Sequence, residues 1–437
     1  MPHPLSNRLR AALQSRLLRN MGWSAAAETM IRVSRLLTAV ILARFLMPED
    51  YGLAAIALTT NELVKVLTNT GFGQRIVRAT DDELGAVCNT AWRLNWLVCG
   101  GLFILQSLVA APVAWFYGEP RLAWMIAGLS LVYLMMPFGL VQCFLVMRDN
   151  RLKINALVSG AQVTCDNLLT AALAVMGLGP WAVVLPKVIV GPIWVIGMRR
   201  ARCWQPTPEA GLTHWRDFVG YGRAILGTEI VKTLRLYADR LIIGAALGVE
   251  AVGVYYFAFS AGLGISMAFV AAFTLALFPH LCESLSDPAA LRRRWTGAVG
   301  LCAAVVIPLI GLQAALAPWY VPLVFGERWA GAVPVLALLC LSALPRPFAE
   351  GAGQLLRAVG RPEVEMRFNM AFTALYMAAV GIGLPFGLTG VAGAVLAVHL
   401  IVLPPYTWWV ARTVLPRPTP SPAPAPASAP ATLETAS

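Results

Sequence analysis

Three ionisable residues, Glu28, Arg32 and Arg35, recur at intervals of four and three positions. That spacing places them on one face of a helix. About 200 residues later a comparable set appears: Glu229, Lys232, Arg235 and Asp239. A third group, Asn61, Glu62, Lys65 and Asn69, has the same helical rhythm, and Arg93, Asp166, Lys187, Arg346 and Glu350 stand singly. Arginine and lysine in such an arrangement bind anions, and guanidinium in particular presents a planar fork suited to phosphate. Carboxylates beside them suit exchange of a proton or Na⁺. A simpler reading makes Glu28/Arg32, Glu62/Lys65 and Arg346/Glu350 helix-spaced ion pairs that neutralise one another. Pairing leaves a surplus, because Arg32, Arg35, Lys65, Lys232 and Arg235 outnumber their acidic neighbours.

The setting makes these charges conspicuous. Of 437 residues, 58% are hydrophobic and 13% charged, and mean hydropathy is +0.68. Soluble chains carry roughly 25% charge, so a water-soluble enzyme is excluded and the apolar side chains must face lipid. A membrane helix needs about 20 apolar residues. Twelve such stretches are predicted, near residues 22–46, 51–74, 85–113, 121–146, 154–176, 180–198, 218–245, 252–278, 295–317, 331–356, 368–385 and 390–411. No series of alternating ten-residue strands supports a β-barrel.

The basic residues test that count. Of 34 Lys and Arg, 21 fall in the termini and alternate connections, including Arg292, Arg293 and Arg294, whereas the opposite connections hold only Arg121 and Arg328. Cytoplasmic connections are the basic ones, so both termini are predicted to be cytoplasmic. Eleven cations then lie within or near spans, where charge is costly unless it faces protein or water. Arg44, Arg223 and Arg240, close to span ends, are expected to snorkel to the headgroups.

The halves resemble each other. At an offset of 201, Glu28 meets Glu229, Glu49 meets Glu250, Gly52 meets Gly253, and Phe72 meets Phe273. At 208, Gly118-Glu119 meets Gly326-Glu327; at 210, Pro137-Phe138 meets Pro347-Phe348 and Gly177-Leu178 meets Gly387-Leu388. Each half holds six spans, so both share one orientation and form a parallel repeat. The expected organisation is an amphipathic cytoplasmic segment (1–21), a six-helix bundle (22–198), a cytoplasmic linker (199–217), a second bundle (218–412) and a Pro/Ala-rich disordered tail (413–437).

Two runs carry a family resemblance. ILARFLMPEDYGLAAIAL (residues 41–58) with TNTGFGQRIVR (68–78) resembles the opening of the Wzx-like oligosaccharide flippases. These belong to the polysaccharide transporter family of the MOP superfamily. YADRLIIGAALGVEAVGVYYFAFSAG (237–262) resembles the second-half counterpart. The resemblance covers about residues 20–412. It implies an all-α polytopic fold of about twelve helices in the bacterial inner membrane. It also implies transport of undecaprenyl-diphosphate-linked oligosaccharides to the periplasmic leaflet for exopolysaccharide, capsule or O-antigen export. The expected partners are that lipid-linked saccharide, membrane lipids and a polysaccharide polymerase or export machinery, without nucleic acid. Arg32, Arg35, Lys65, Lys232 and Arg235 are the substrate-binding candidates. Glu28, Glu62, Asp166, Glu229 and Asp239 are candidates for H⁺ or Na⁺ coupling, with no other cofactor. A peptidoglycan-precursor flippase or a MOP-type small-molecule exporter is the alternative.

Other motifs carry less. His3, His214, His280 and His399 are far apart, so neither metal nor catalytic spacing is present. The eight cysteines read as buried free thiols. Gly71-Phe72-Gly73 is expected to break the end of the second span rather than cradle phosphate. Thr80, Asp81, Asp82 and Glu83 read as an N-cap and first-turn acids of the third span. A membrane enzyme would need an acid, base or nucleophile on a sizeable loop. The longest outer loop, about residues 318–330, offers only Glu327 and Arg328.

Overall fold

The computed structural model describes residues 16–68, 72–149, 151–207, 215–285 and 287–415. The predicted tail and most of the predicted N-terminal segment lie outside this set, as do Asn69, Gly71 and the side chains of Glu28 and Arg223.

Sixteen α-helices cover the described residues. In the first half they are α1 (Arg16–Phe45), α2 (Pro48–Lys65), α3 (Phe72–Arg78), α4 (Leu84–Tyr117), α5 (Pro120–Met135), α6 (Leu140–Arg148), α7 (Leu152–Val175), α8 (Trp181–Ile189) and α9 (Gly191–Ala201). The second half holds α10 (Trp215–Leu247), α11 (Val249–Cys282), α12 (Pro288–Tyr320), α13 (Val333–Ser342), α14 (Arg346–Ala358), α15 (Pro362–Gly383) and α16 (Gly387–Val414). Among the described residues six stretches, Leu84–Tyr117 and Pro288–Phe325 among them, are long and apolar enough to cross a membrane. The charge-bearing helices α1, α2 and α10 are not among those stretches.

Grouping the broken helices gives the twelve predicted spans. The fourth is α5 and α6, interrupted by the short 3-10 turn Met136–Phe138. The tenth is α13 and α14, interrupted just before Arg346-Pro347. Proline removes an amide donor and clashes with the preceding turn, so both breaks fall at the matched prolines. Two pairs of matched glycines also adopt positive φ: Gly118 (68°) with Gly326 (107°), and Gly177 (80°) with Gly387 (70°). Backbone of positive φ is cheap for glycine alone, so the duplicated positions keep the same residue, although Gly118 (ψ 18°) and Gly326 (ψ 156°) turn the chain differently. The chain is a parallel repeat of two six-span halves.

Some boundaries differ from the sequence reading. Helix α1 runs from Arg16 through the expected boundary at residue 21. The second span ends at Lys65, continues as the turn Val66–Thr68, and is followed by the separate helix α3. Glu83 stands at the N-cap position of α4 but makes no side-chain cap, and no acid falls in the first turn. Glu83 receives two bonds from Arg75, 3.0 and 2.9 Å, and Asp81 pairs with Arg148 at 2.5 Å. Opposite charge across the α3–α6 end outcompetes the helix terminus. The cysteines are all free, but Cys165, Cys203 and Cys282 are exposed rather than buried.

The halves meet where α2 crosses α11. A Cβ on Gly52 would lie 1.9 Å from the Val249 carbonyl oxygen, and one on Gly253 would lie 1.8 Å from the Pro48 oxygen. Gly52 and Gly253, like Pro48 and Val249, are repeat mates at the same offset, so the contact is reciprocal. Only the absence of both side chains lets the backbones touch.

Candidate functional site

One end of the molecule is sealed. Trp329 is fully buried and donates its indole N–H to the Ala43 carbonyl at 2.8 Å. Its ring stacks on Phe257 with centroids 4.1 Å apart and meets Tyr51 edge-on at 5.0 Å. Arg44 does not snorkel. It donates to the carbonyls of Val324 and Leu323, 2.8 and 2.5 Å, tying the first span to the second half. Arg328 reaches back to the Leu46 carbonyl and the Met47 sulfur, each at 3.4 Å.

Toward the opposite, arginine-rich end the halves part around a pocket of about 330 Å³ between α2 and α10, lined by Glu62, Lys65, Glu229, Lys232 and Tyr237. Lys65 donates to Glu62 and Lys232 to Glu229, each at 3.0 Å and each three residues apart on its own helix. The lysines remain 47% exposed. Such pairs contribute about 0.2–1 kcal/mol, little enough for an incoming anion to displace the carboxylate.

Lys232 and Leu236 also line a second cavity, about 360 Å³, inside the C-terminal bundle among α10, α14, α15 and α16. Arg235 donates to the Asn369 side-chain oxygen at 2.7 Å and lies 5.8 Å from the Phe372 ring centre. Asp239 is buried at the cavity wall. It accepts from the hydroxyls of Tyr255 and Tyr376, both 2.9 Å, and from the Arg240 amide at 2.8 Å. Arg346 and Glu350, one helical turn apart on α14, line the cavity together. The Arg346 guanidinium lies 3.3 Å from His399 Nε2 and 3.2 Å from the Met267 sulfur. His399 Nδ1 sits 2.7 Å from the Val395 carbonyl, which fixes the tautomer with a hydrogen on Nδ1 and leaves Nε2 to accept from arginine. Arg357 makes a two-pronged pair with Glu365, 2.6 and 2.5 Å.

The predicted residues therefore separate. Lys65, Lys232, Glu62 and Glu229 come together between the halves, and Arg235 and Asp239 line the adjoining cavity. Arg32 and Arg35 are exposed on α1 and line neither space. α1 turns Ser34 and Thr38 toward α7, where Thr38 donates to the Asn167 carbonyl at 2.8 Å and Asn167 to Ser34 at 2.9 Å. Asp166 pairs with Lys187 within the first half. Arg240 is buried among Tyr237, Tyr256 and Phe259, 4.8–5.2 Å from their ring centres, held by cation–π attraction instead of snorkelling.

Sequence reasoning passed over His399, Asn369, Tyr376, Glu365 and Arg357 as site residues. One signal was present. Arg346, Glu350, Gly353 and Arg357 fall on one face of α14, as do Glu365, Asn369, Phe372 and Tyr376 on α15, and all of them line the cavity. Among the described residues no three His, Cys, Asp or Glu side chains converge as a metal site.

The profile of a family described as polysaccharide biosynthesis protein matches residues 41–334, including the sealed end, the glycine crossing and α10. The chain belongs to that family. It is 25% identical over 401 residues to the lipopolysaccharide biosynthesis protein WzxC of Escherichia coli K12, covering 89% of this chain and 80% of that protein. It is 26% identical over 351 residues to the succinoglycan biosynthesis transport protein ExoT of Rhizobium meliloti, covering 77% of this chain and 69% of that one. Among solved structures it is similar to the lipid II flippase MurJ in an inward closed conformation, with a TM-score of 0.74 at 12% identity, covering 90% of this chain and 87% of that one. An inward-facing MATE family multidrug transporter of the MOP superfamily matches with a TM-score of 0.69 at 12% identity, covering 90% and 98%. The fold is that of the MOP superfamily, and the chain is a multi-pass membrane protein.

Proposed function

We propose that the protein moves polyprenyl-diphosphate-linked oligosaccharides from the cytoplasmic to the periplasmic leaflet of the bacterial inner membrane, for assembly of an exported polysaccharide. One observation carries the reading. In a member of the polysaccharide biosynthesis family, two repeated bundles are sealed by Trp329, Tyr51 and Phe257 at one end and part around charged cavities at the other. With the basic connections cytoplasmic, this is the inward-open state of an alternating-access cycle, and both termini are cytoplasmic.

The diphosphate enters between α2 and α10. Lys65 and Lys232 exchange their glutamate partners for phosphate oxygens, and Arg32 and Arg35 on α1 attract the headgroup as it approaches. The polyprenyl tail stays in lipid. Rocking one half against the other about the glycine crossing opens the aromatic seal and releases the headgroup outward. Asp239 is the preferred coupling residue, since its hydroxyl partners can reorient when a proton or Na⁺ arrives; Glu28, Glu62 and Glu229 are secondary candidates. Asp166, held by Lys187, organises the first bundle. Translocation breaks no covalent bond, so no catalytic group is required and the protein acts as a transporter rather than an enzyme. On release the saccharide passes to the polymerase and export machinery.

Deleting the chain from its host tests this. Lipid-linked repeat units should accumulate on the cytoplasmic leaflet while surface polysaccharide disappears, and a plasmid copy should restore both. Unchanged precursor levels and unchanged surface polysaccharide would sink the proposal.

A further inference from the structure

We propose that His399 is the proton-carrying switch of the transport cycle: on taking up a proton it expels Arg346 and drives the chain out of its inward-open state. The inference rests on the flippase reading and names both the coupling ion and the group that carries it.

The contact between the two residues exists for one protonation state only. His399 is buried on α16, with Nδ1 2.7 Å from the Val395 carbonyl and Nε2 3.3 Å from the Arg346 guanidinium. The carbonyl takes the Nδ1 hydrogen, so Nε2 must be a bare acceptor to meet an N–H of arginine. A second proton has only Nε2 to occupy. There it turns the acceptor into a donor, breaks the hydrogen bond and sets two positive charges face to face where the dielectric is low. Imidazole is also the side chain whose charge ordinarily changes near neutral pH.

The surroundings balance only while the ring is neutral. Lys232 pairs with Glu229 and Arg357 with Glu365. From α10 come Arg235 and Asp239, and from α14 Arg346 and Glu350, two cations against two carboxylates on one cavity. On α15 and α16 the other titratable groups of that wall are the hydroxyls of Tyr376 and Tyr406. Helix α13 also packs on α16; its single titratable group, Cys340, lies against Gly262 of α11. A proton on His399 therefore leaves the wall with a net positive charge, which is costly inside a membrane protein, and places it against Arg346.

Arg346 is placed to pass that repulsion on. It opens α14 directly after the break at residues 343–345, where the positive end of the helix dipole disfavours a cation. Its Nε is buried without a partner, so a move toward Glu350 or Asp239 gains a bond that the present position lacks. An approach to Asp239 draws its carboxylate away from Tyr255 and Tyr376, the rearrangement that makes Asp239 a coupling residue. The guanidinium also touches the Met267 sulfur, and Met267 lies on α11 with Gly253 of the crossing and Phe257 of the seal. Leaving His399, Arg346 disturbs the helix that holds the halves together. The direction suits export. The inward-open state, with Arg346 on Nε2, gives up the proton to the cytoplasm, and the outward state takes one from the periplasm as the cargo departs.

The test reads conformation and transport separately. In the full chain with its native cysteines replaced by serine, spin labels at Met47→Cys and Arg328→Cys report the seal, because these side chains touch and close labels broaden each other's spectra. Acidification from about pH 8 to about pH 5.5, across the ordinary histidine range, should remove the broadening. His399→Gln keeps an acceptor for Arg346 and cannot be charged, so it should hold the broadening at both pH values. Arg346→Gln should hold it too, because the charged ring then has nothing to expel, and Arg346→Lys should restore part of the response. A parent chain indifferent to pH would overturn the switch. So would a response that survives His399→Gln, which would put the proton on Asp239 or Glu350. In proteoliposomes, one pH unit of acidity on the side that receives the headgroup should speed flipping of a synthetic polyprenyl-diphosphate disaccharide about tenfold. That is the factor by which one unit changes the ratio of imidazolium to imidazole. His399→Gln should abolish the acceleration, and acceleration by a Na⁺ gradient in place of protons would overturn the proposal. If nothing flips, the transport reading fails while the spin labels still decide the switch.

Discussion

At the residue scale the site is built from weak pairs and supported arginines. Lys65–Glu62 and Lys232–Glu229 are exposed enough to open at little cost. Replacing both lysines with alanine should therefore lower flipping by tenfold or more while membrane insertion and melting temperature change little; a reconstituted flipping assay with a thermal-shift control measures both. Asp239 differs because its carboxylate is saturated by two tyrosines and a backbone amide inside the bundle. Asp239→Asn should remove the dependence of transport on whichever gradient drives it, read by collapsing the proton and Na⁺ gradients separately. Asp166→Asn should leave that dependence in place, because Asp166 pairs with Lys187 and lines neither of the two charged cavities. Much of this site was legible at residue level and part was not. Periodicity identified Glu229, Lys232, Arg235 and Asp239 as one face of a helix, and that face does line the cavities. Periodicity does not say which neighbour a face meets: Arg32 and Arg35, substrate-binding candidates with Lys65, Lys232 and Arg235, line neither cavity, because α1 packs on α7 through Ser34 and Thr38. The Arg346–His399 contact spans 53 residues between different helices, beyond the reach of any local spacing rule.

At the element scale the crossing of α2 and α11 decides how the halves fit. Gly52→Val should push the α2 backbone off the Val249 carbonyl, and Gly253→Val should do the same at Pro48. Each should destabilise the folded chain by about 1–3 kcal/mol, the usual cost of overpacking, with loss of transport; detergent melting curves measure the first effect. Substituting Gly300, beside which an added Cβ meets nothing, should be near neutral. The crossing was visible as two glycines at one offset because a duplicated backbone contact needs the same small residue twice. The helix breaks were visible for a similar reason, since matched prolines interrupt matched spans. The acids before α4 were misread because a lone sequence cannot show Arg75 and Arg148 approaching from α3 and α6.

At the scale of the whole molecule, the balance of basic residues between connections and the matched positive-φ glycines of the two halves give one picture: two like-oriented bundles joined by an aromatic seal. Opening that seal must be part of the cycle. In a chain whose native cysteines are replaced by serine, Met47→Cys and Arg328→Cys should be joined by a short thiol cross-linker, since these side chains lie in contact. The bridge should stop transport reversibly, whereas transport through the bridged protein would mean that the seal is not a gate. The central claim is translocation itself. A fluorescent polyprenyl-diphosphate oligosaccharide, placed in both leaflets of proteoliposomes and bleached from outside by a membrane-impermeant reductant, measures it directly. Bleaching should proceed to completion with the purified chain and stop at about half in protein-free vesicles or with the lysine double variant; a half-bleached plateau with the unsubstituted chain would contradict the account.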